Sequence, residues 1–210
     1  MTEEELQFGA IWPLMMNVWD TSGRRKGVQE LRKLAEADFL PAVFALGMAY
    51  FDGKGVRRDY PKAFELISKA AWQNYPSAVG FMGNFYMSVY PKYGVVEFDE
   101  VEANRWWEKA AREGNSSSQY NLAESYQKGR GVPQSFRQAY IWASLAVKCS
   151  PIAFTAAQAE REQAAKFLSE AERLEADQEI RKLGQGIPHD QSEHFTYWQM
   201  CARAAGIDPD

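Results

Sequence analysis

The stretch AVFALGMAYFDGKGVRRDYPKAFELISKAA, residues 42–71, decides the fold because its pattern recurs twice further along the chain. Moving 36 residues on from Ala42 reaches Ala78, and a further 40 residues reaches Ser118. A period of 36 to 40 residues with small side chains at set places is typical of two-helix units stacked in a solenoid. Leu46, Met82 and Leu122 follow the same shifts, and Ala63, Ala103 and Ala139 are equivalent at shifts of 40 and then 36 residues.

Each copy carries the local signals of a helix, a turn and a second helix. Leu46 and Tyr50 lie four residues apart and therefore on one face of the first helix, and Gly47 between them permits close approach of the second. The Gly-x-Gly-Val turn at residues 53–56 recurs at 129–132 and supplies the positive φ angles that end a helix. Three residues are predicted to cap the second helices: Asp59, Asp99 and Ser135.

These motifs resemble the Sel1-like repeat family, α/α relatives of the tetratricopeptide repeats. The first copy matches its pattern in Ala42-x-x-x-Leu46-Gly47-x-x-Tyr50 and in Gly53-x-Gly55-Val56. The third copy departs from it by having Ala123 where the pattern has glycine, and the second copy lacks the Gly-x-Gly-Val turn. The resemblance covers about residues 27–150 and implies a right-handed superhelical, all-α solenoid.

The flanking segments extend this array. We predict a single solenoid domain over residues 1–210, with a degenerate capping repeat at 1–37, three repeats at 38–150 and capping helices at 151–210. Thr2 with Glu5, and Ser169 with Glu172, have the spacing of capping boxes. The expected capping helices are 152–168, 170–183 (stopped by Gly184 and Gly186) and 190–204, which brings the total to about ten helices.

Composition excludes several classes of function. The chain has 28 acidic and 24 basic residues, so nucleic acid is not an expected partner. Its longest apolar stretch, residues 8–19, is too short to span a bilayer and follows an acidic start, so we expect a cytoplasmic protein that binds no membrane. Aromatic residues make up 14% of the chain, and the repeat-equivalent Trp106 and Trp142 are expected to lie in the core.

No pattern of catalytic or metal-binding residues stands out. His189 and His194 are five apart, whereas a helical metal pair prefers four, so we expect no metal site. Cys149 is predicted at a helix end, where its thiol is not activated, and it lies 52 residues from Cys201. The sequence therefore predicts a non-enzymatic protein without a cofactor. A hydrolase using His194, Glu193 or Cys149 is the weaker alternative.

By the resemblance, the first helix of each repeat lines an inner, concave surface that binds a partner protein. The equivalent positions predict these contact residues: Phe44, Met48 and Phe51, then Gly80, Asn84 and Met87, then Tyr120, Glu124 and Gln127. A bound helix and a bound extended segment are both compatible with this surface. Phe44 and Phe51 packing on the N-terminal repeat or on the chain's own final helix is the alternative. The loop carrying Tyr90 and Tyr93 is a second predicted contact.

The resemblance also implies a set of biological roles. Bacterial Sel1-type proteins serve as signalling adaptors, regulators of secretion or immunity proteins that block a toxin. An acidic chain of this size is compatible with an immunity protein, which is the most specific prediction, with a signalling or secretion-regulating adaptor as the alternative and self-association through the aromatic end as a third. Cysteine-rich secreted members are linked to β-lactam hydrolysis, but their disulfide pair in every repeat is missing here, so we expect no such activity.

Overall fold

The computed structural model describes residues 2–16, 21–87, 95–149 and 154–186. Within these ranges every regular element is a helix, which confirms the predicted all-α class. The helices are α1 (Glu3–Met16), α2 (Thr21–Glu36), α3 (Leu40–Asp52), α4 (Tyr60–Trp72), α5 (Pro76–Met87), α6 (Glu100–Arg112), α7 (Ser116–Lys128), α8 (Phe136–Cys149), α9 (Phe154–Ala165) and α10 (Glu170–Gly186).

The described residues form two compact units. The first contains residues 2–78 and 95–97, and the second contains residues 79–87 and 98–186. In the first unit α1, α2, α3 and α4 pack in succession. In the second unit α6, α7, α8 and α9 pack in succession, while α7 also meets α9 and α8 also meets α10. The pairing of α9 and α10 with α7 and α8 extends the helix pairing of the repeats beyond residue 150.

Glycines in the repeated turns perform the role that the sequence predicts. Gly53 and Gly129 end α3 and α7 in the left-handed conformation, with φ angles of 73° and 68°. Gly55 and Gly131 also have positive φ, and they lie against backbone of another helix. A Cβ atom on Gly55 would stand 2.6 Å from the carbonyl oxygen of Arg24. The turn therefore needs glycine twice, once for conformation alone and once for conformation together with close approach.

The predicted helix starts are confirmed by hydrogen bonds. The side chains of Asp59 and Asp99 accept from the backbone N–H three residues on at 2.9 Å, and the hydroxyl oxygen of Ser135 does so at 3.2 Å. Thr2 and Glu5 form the expected capping box, in which the Glu5 carboxylate accepts from the Thr2 N–H at 2.6 Å. These bonds satisfy backbone donors that the first turn of a helix leaves without partners.

The predicted ends of the last two described helices are wrong by three residues each. α9 ends at Ala165 because i to i−3 hydrogen bonds close a turn over residues 166–168. Ser169 and Glu172 then start α10 with the predicted capping box, at 2.8 Å. α10 continues through Gly184 to Gly186, since its packing on α8 carries it past the first glycine. Gly184 faces α8, since a Cβ there would lie 3.9 Å from the Leu145 side chain.

The core of the second unit is built around tryptophans, as the repeat predicts. Trp106 and Trp142 are 8% and 4% exposed. Their neighbour Trp107 is equally buried and packs in one cluster with Leu122 and Trp142. The indole of Trp107 lies where a Cβ on Gly83 would project. The ring therefore occupies the space that the glycine of the second copy leaves by having no side chain. Gly83 thus has the packing role that the sequence predicts for the glycine of the first helix.

α7 buries polar side chains where the other repeats bury apolar ones. Gln119 is fully buried at the position that Val43 and Val79 hold in the first two copies. Its Nε2 donates to the Ala111 carbonyl at 3.0 Å, while its Oε1 has no hydrogen-bond partner among the described residues. A buried acceptor without a donor costs about 1–3 kcal/mol, more than a typical hydrogen bond contributes.

Replacing Gln119 by valine is therefore expected to raise the free energy of unfolding by about 1 kcal/mol, measured by urea titration. The two side chains are similar in volume, and the Ala111 carbonyl keeps the N–H of Gly114 as a donor at 3.1 Å. Gln178→Val on the exposed face of α10 is the matched control and is expected to lower stability by a few tenths of a kcal/mol. A loss of 1 kcal/mol in Gln119→Val would show that Oε1 is satisfied by water.

Candidate functional site

In the first unit, the predicted contact residues of α3 are half-buried. The ring of Phe44 lies 5.6 Å from that of Tyr75, which follows α4. The ring of Phe51 meets that of Tyr60 edge to face, with centroids 5.4 Å apart. Both aromatic rings thus pack within their own repeat and keep part of their surface exposed. Met48 is likewise partly exposed. This face offers apolar contact area held in place by neighbouring aromatic residues.

In the second unit, α5 presents Asn84 and Met87. Asn84 is exposed, and its Oδ1 accepts two hydrogen bonds, from Trp107 Nε1 at 3.1 Å and from Asn121 Nδ2 at 3.3 Å. Met87 is half-buried against the tryptophan cluster. Gly80, the other α5 position predicted to face inward, is buried; a Cβ there would stand 2.7 Å from the Ser118 hydroxyl. α5 and α7 are therefore close neighbours, and Asn84 lies where they meet.

α7 also carries a group of charged side chains near α9. The Glu124 carboxylate pairs with Arg130 at 3.0 Å and also with Lys128. Burial raises the pKa of Glu160 on α9, and the charge of Glu124 raises it further. Burial likewise raises the pKa of Tyr120, with both carboxylates adding to the effect. Tyr120, Glu124 and Glu160 therefore lie close enough to influence one another.

Gln127 completes the predicted set on α7. It is half-buried, and its Oε1 is shielded from solvent without a hydrogen-bond donor among the described residues. Its main-chain carbonyl accepts from Gln134 Nε2 at 2.8 Å, which ties the end of α7 to the segment before α8. The structure thus brings Tyr120, Glu124 and Gln127 onto partly exposed parts of one helix.

Three residues of this surface are missing from the sequence prediction: Asn121, Arg130 and Glu160. Asn121 stands where the other copies have Ala45 and Phe81, so the departure from an apolar position is a usable signal. Arg130 is the variable residue of the Gly-x-Gly turn. Glu160 lies beyond the aligned repeats, where no equivalent position exists to compare, so the sequence offers no signal for it.

Several predicted residues lie outside the described part of the chain. These are Tyr90 and Tyr93 of the inserted loop, the side chain of Cys149, and the whole segment 187–210 with His189, Glu193, His194, Cys201 and the expected helix 190–204. Within residues 2–16, 21–87, 95–149 and 154–186, no three histidine, cysteine, aspartate or glutamate side chains are grouped so that they could hold a metal ion. In those same ranges no helix has the length and apolar character needed to cross a bilayer.

The repeat itself identifies the family. A family model for the Sel1 repeat matches residues 40–75, 76–115 and 116–150, just over half of the chain. The chain belongs to the Sel1 repeat family. The first two matched segments each join one helix pair, α3 with α4 and α5 with α6, and the third joins α7 with α8. Sel1 repeats are typically non-enzymatic scaffolds for binding other proteins.

Solved Sel1 repeat structures share the fold. A Sel1 repeat protein from Oxalobacter formigenes superimposes with a TM-score of 0.63 at 25% identity, over 95% of this chain and 71% of that one. The protective antigen c5321 of uropathogenic Escherichia coli superimposes with a TM-score of 0.59 at 23% identity, over 96% of this chain and 46% of that one. The α/α solenoid predicted from the sequence is therefore confirmed.

Curated relatives share the repeats but are longer proteins. The alginate biosynthesis protein AlgK of Azotobacter vinelandii is 34% identical over 66% of this chain and 29% of its own length. An exopolysaccharide production negative regulator of Rhizobium leguminosarum is 30% identical over 60% of this chain and 51% of its own. The ERAD-associated E3 ubiquitin-protein ligase component HRD3B of Arabidopsis thaliana is 33% identical over 53% of this chain and 17% of its own. This Sel1 repeat chain thus spans from about a sixth to a half of their lengths.

Proposed function

We propose that this chain is a non-enzymatic binding module that holds another protein on the exposed faces of the first helices of its repeats. One observation carries the proposal. The positions of Ala42, Leu46 and Gly47 carry small or apolar side chains in every copy, whereas a position with exposed surface changes chemistry each time, as in Met48, Asn84 and Glu124. Packing between helices restricts the small and apolar positions. It does not restrict the exposed positions, which can therefore differ so as to fit a partner.

Within that role, we propose that the partner is a toxin or effector that the chain neutralises in the cytoplasm. The net charge of −4 and the exposed carboxylates of the repeats suit a basic partner surface. An adaptor or regulatory role is the second candidate. It is favoured by two relatives that are regulators, the negative regulator of exopolysaccharide production and a chitin synthase regulator of Malassezia restricta.

The first test is capture of a partner from the native lysate by the full chain, followed by identification and measurement of its dissociation constant. Glu124→Arg reverses a charge in the middle of α7 and is expected to weaken that partner's binding about tenfold or more. Glu175→Arg makes the same change on the exposed face of α10 and is expected to leave binding unchanged. Met48→Asp tests the first-unit face in the same way.

The outcomes separate the candidates. A captured protein that arrests growth when expressed alone, and not when expressed with this chain, supports toxin neutralisation. A captured protein without toxicity supports the adaptor role. Equal binding by wild type, Glu124→Arg and Met48→Asp, with all three folded by circular dichroism, would contradict binding through the first helices.

A further inference from the structure

The turn of the first repeat lies against the start of α2, and both segments carry positive charge. A Cβ atom on Gly55 would stand 2.6 Å from the carbonyl oxygen of Arg24, so the turn and the first residues of α2 are in contact. Five cationic residues lie at this junction, two from α2 and three from the turn: Arg24, Arg25, Lys54, Arg57 and Arg58. These five residues form the basic edge of the first unit.

Two carboxylates in the turn neutralise part of this charge. Asp52 pairs with Lys54 at 2.7 Å, and its main-chain carbonyl accepts from the guanidinium of Arg58 at 3.2 Å. Asp59 caps α4 by accepting from the N–H of Lys62 at 2.9 Å. Five cations thus face two carboxylates, and one of those carboxylates is engaged with a helix start.

Arg25 and Arg57 are the cations of the edge that remain open to solvent. Both are exposed, and neither forms an ion pair with a carboxylate in the described part of the chain. The first turn of α2 contains no acidic residue, so Arg25 stands at the positive end of that helix, where a cation is unfavourable. Gathering like charges also costs stability. A charge arrangement that opposes folding is expected where a partner uses it.

The third repeat has the same turn geometry without this charge. Gly131 lies against the backbone of Glu100 at the start of α6, as Gly55 lies against Arg24. An acidic residue thus stands there in place of a basic one. Neutral residues hold the positions equivalent to Arg25, Arg57 and Arg58, namely Val101, Pro133 and Gln134. The fold of the turn therefore does not require the basic edge.

The chemistry of the edge favours carboxylates of a protein over other anions. Four of its five cations are arginines, whose planar guanidinium groups bind a carboxylate through two parallel hydrogen bonds. Single-stranded nucleic acid also needs open aromatic faces for base stacking, and the ring of Tyr60 beside the edge is covered by Arg58 at 5.9 Å. A membrane surface requires exposed apolar side chains, and the large ones among the described residues all lie outside the edge.

We propose that the basic edge binds an acidic segment of a protein, with Arg25 and Arg57 pairing with carboxylates of that segment. The edge lies at the start of α2 and in the turn after α3, whereas the proposed function uses the exposed faces of the first helices. The inference therefore goes beyond the proposed function, because it adds a second contact surface that does not depend on those faces.

The test measures binding of a fluorescently labelled octaglutamate peptide to the full chain by anisotropy, in about 0.1 M NaCl, where charges more than about 10 Å apart are screened. Arg25→Glu combined with Arg57→Glu is expected to raise the dissociation constant about tenfold or more. Arg181→Glu combined with Lys182→Glu makes the same change in net charge on exposed residues of α10. We expect less than about a twofold change in that control.

Thermal unfolding distinguishes a binding role of Arg25 from a structural one. Arg25→Glu alone places an anion at the positive end of α2, so we expect the melting temperature to rise by about 2 °C while peptide binding weakens about threefold. A lower melting temperature would show that the fold needs this cation, and it would overturn the inference.

Three binding results would also overturn it. These are no saturable binding of octaglutamate by wild type, equal binding by the two double variants, and tighter binding of an oligouridylate of equal charge, which would make nucleic acid the partner. None of them affects the capture experiment of the proposed function, which changes Met48 and Glu124. Failure of that experiment would in turn leave the binding of octaglutamate to the basic edge intact.

Discussion

Replacing Trp107 by alanine is expected to lower the free energy of unfolding by about 4 kcal/mol, equivalent to roughly 10 °C in the melting temperature. The ring is 4% exposed and packs with Leu122 and Trp142. Alanine would leave a cavity that the surrounding helices can close only in part, because α6 packs on α7. The change also removes the donor to Asn84, so it also alters the exposed face of α5 that is proposed to bind a partner.

Trp72→Ala provides the matched control. Trp72 is 72% exposed at the end of α4, so the same substitution is expected to cost less than 1 kcal/mol. Urea unfolding followed by far-ultraviolet circular dichroism measures both variants without depending on tryptophan fluorescence. Comparable losses at the two positions would show that the packing of Trp107 over Gly83 does not set the stability of the second unit.

Replacing Gly131 by alanine is expected to lower the free energy of unfolding by about 3 kcal/mol, from two causes. The φ angle of 65° is unfavourable for alanine by about 1–2 kcal/mol. A Cβ would in addition collide with the backbone carbonyl group of Glu100, at the start of α6, and backbone cannot rotate away as a side chain can. Both helix starts would have to shift.

Gly129→Ala separates those two causes. Its φ angle of 68° is nearly the same, but the nearest atoms to its Cβ would be the Cβ of Gln134 at 3.3 Å and the backbone nitrogen of Gln134 at 3.5 Å, so no atom would be as close as at Gly131. We expect a loss of about 1–2 kcal/mol, from conformation alone. In the first unit, Gly55→Ala should lower the free energy of unfolding more than Gly53→Ala does, because Gly55 faces the Arg24 carbonyl. Equal losses within each pair would mean that close approach contributes nothing.

Local signals account for what could be predicted of the fold. Asp59, Asp99 and Ser135 cap their helices because a cap depends on a side chain and a backbone donor three residues away. Gly53 and Gly129 end helices for a similarly local reason. The end of α10 is not local in this sense, since α10 packs against α8 and runs past Gly184 to Gly186. The end of α9 is local, but the i to i−3 turn that closes it has no glycine to signal it. The prediction is wrong at both ends.

The candidate surface likewise has a part that could be predicted from the sequence and a part that could not. The first-helix positions could be named because they repeat at 36 and 40 residues. That Asn84 is held by Trp107 and Asn121 could not be predicted, because the bonds join residues 23 and 37 apart on three helices. The meeting of Glu160 with Tyr120 and Glu124 depends likewise on the packing of α9 against α7. The predicted contacts themselves remain predictions.

By itself, the sequence of residues 42–71 and its two recurrences determined the family, the helical class and the positions of caps and turns. These properties depend on neighbours within a few residues or on a spacing that can be counted. Only the tertiary structure decided which amide atom faces outward, which glycine lies against backbone and which carboxylates meet. Those are contacts between helices distant in the chain, where packing and the pairing of buried polar atoms select one arrangement.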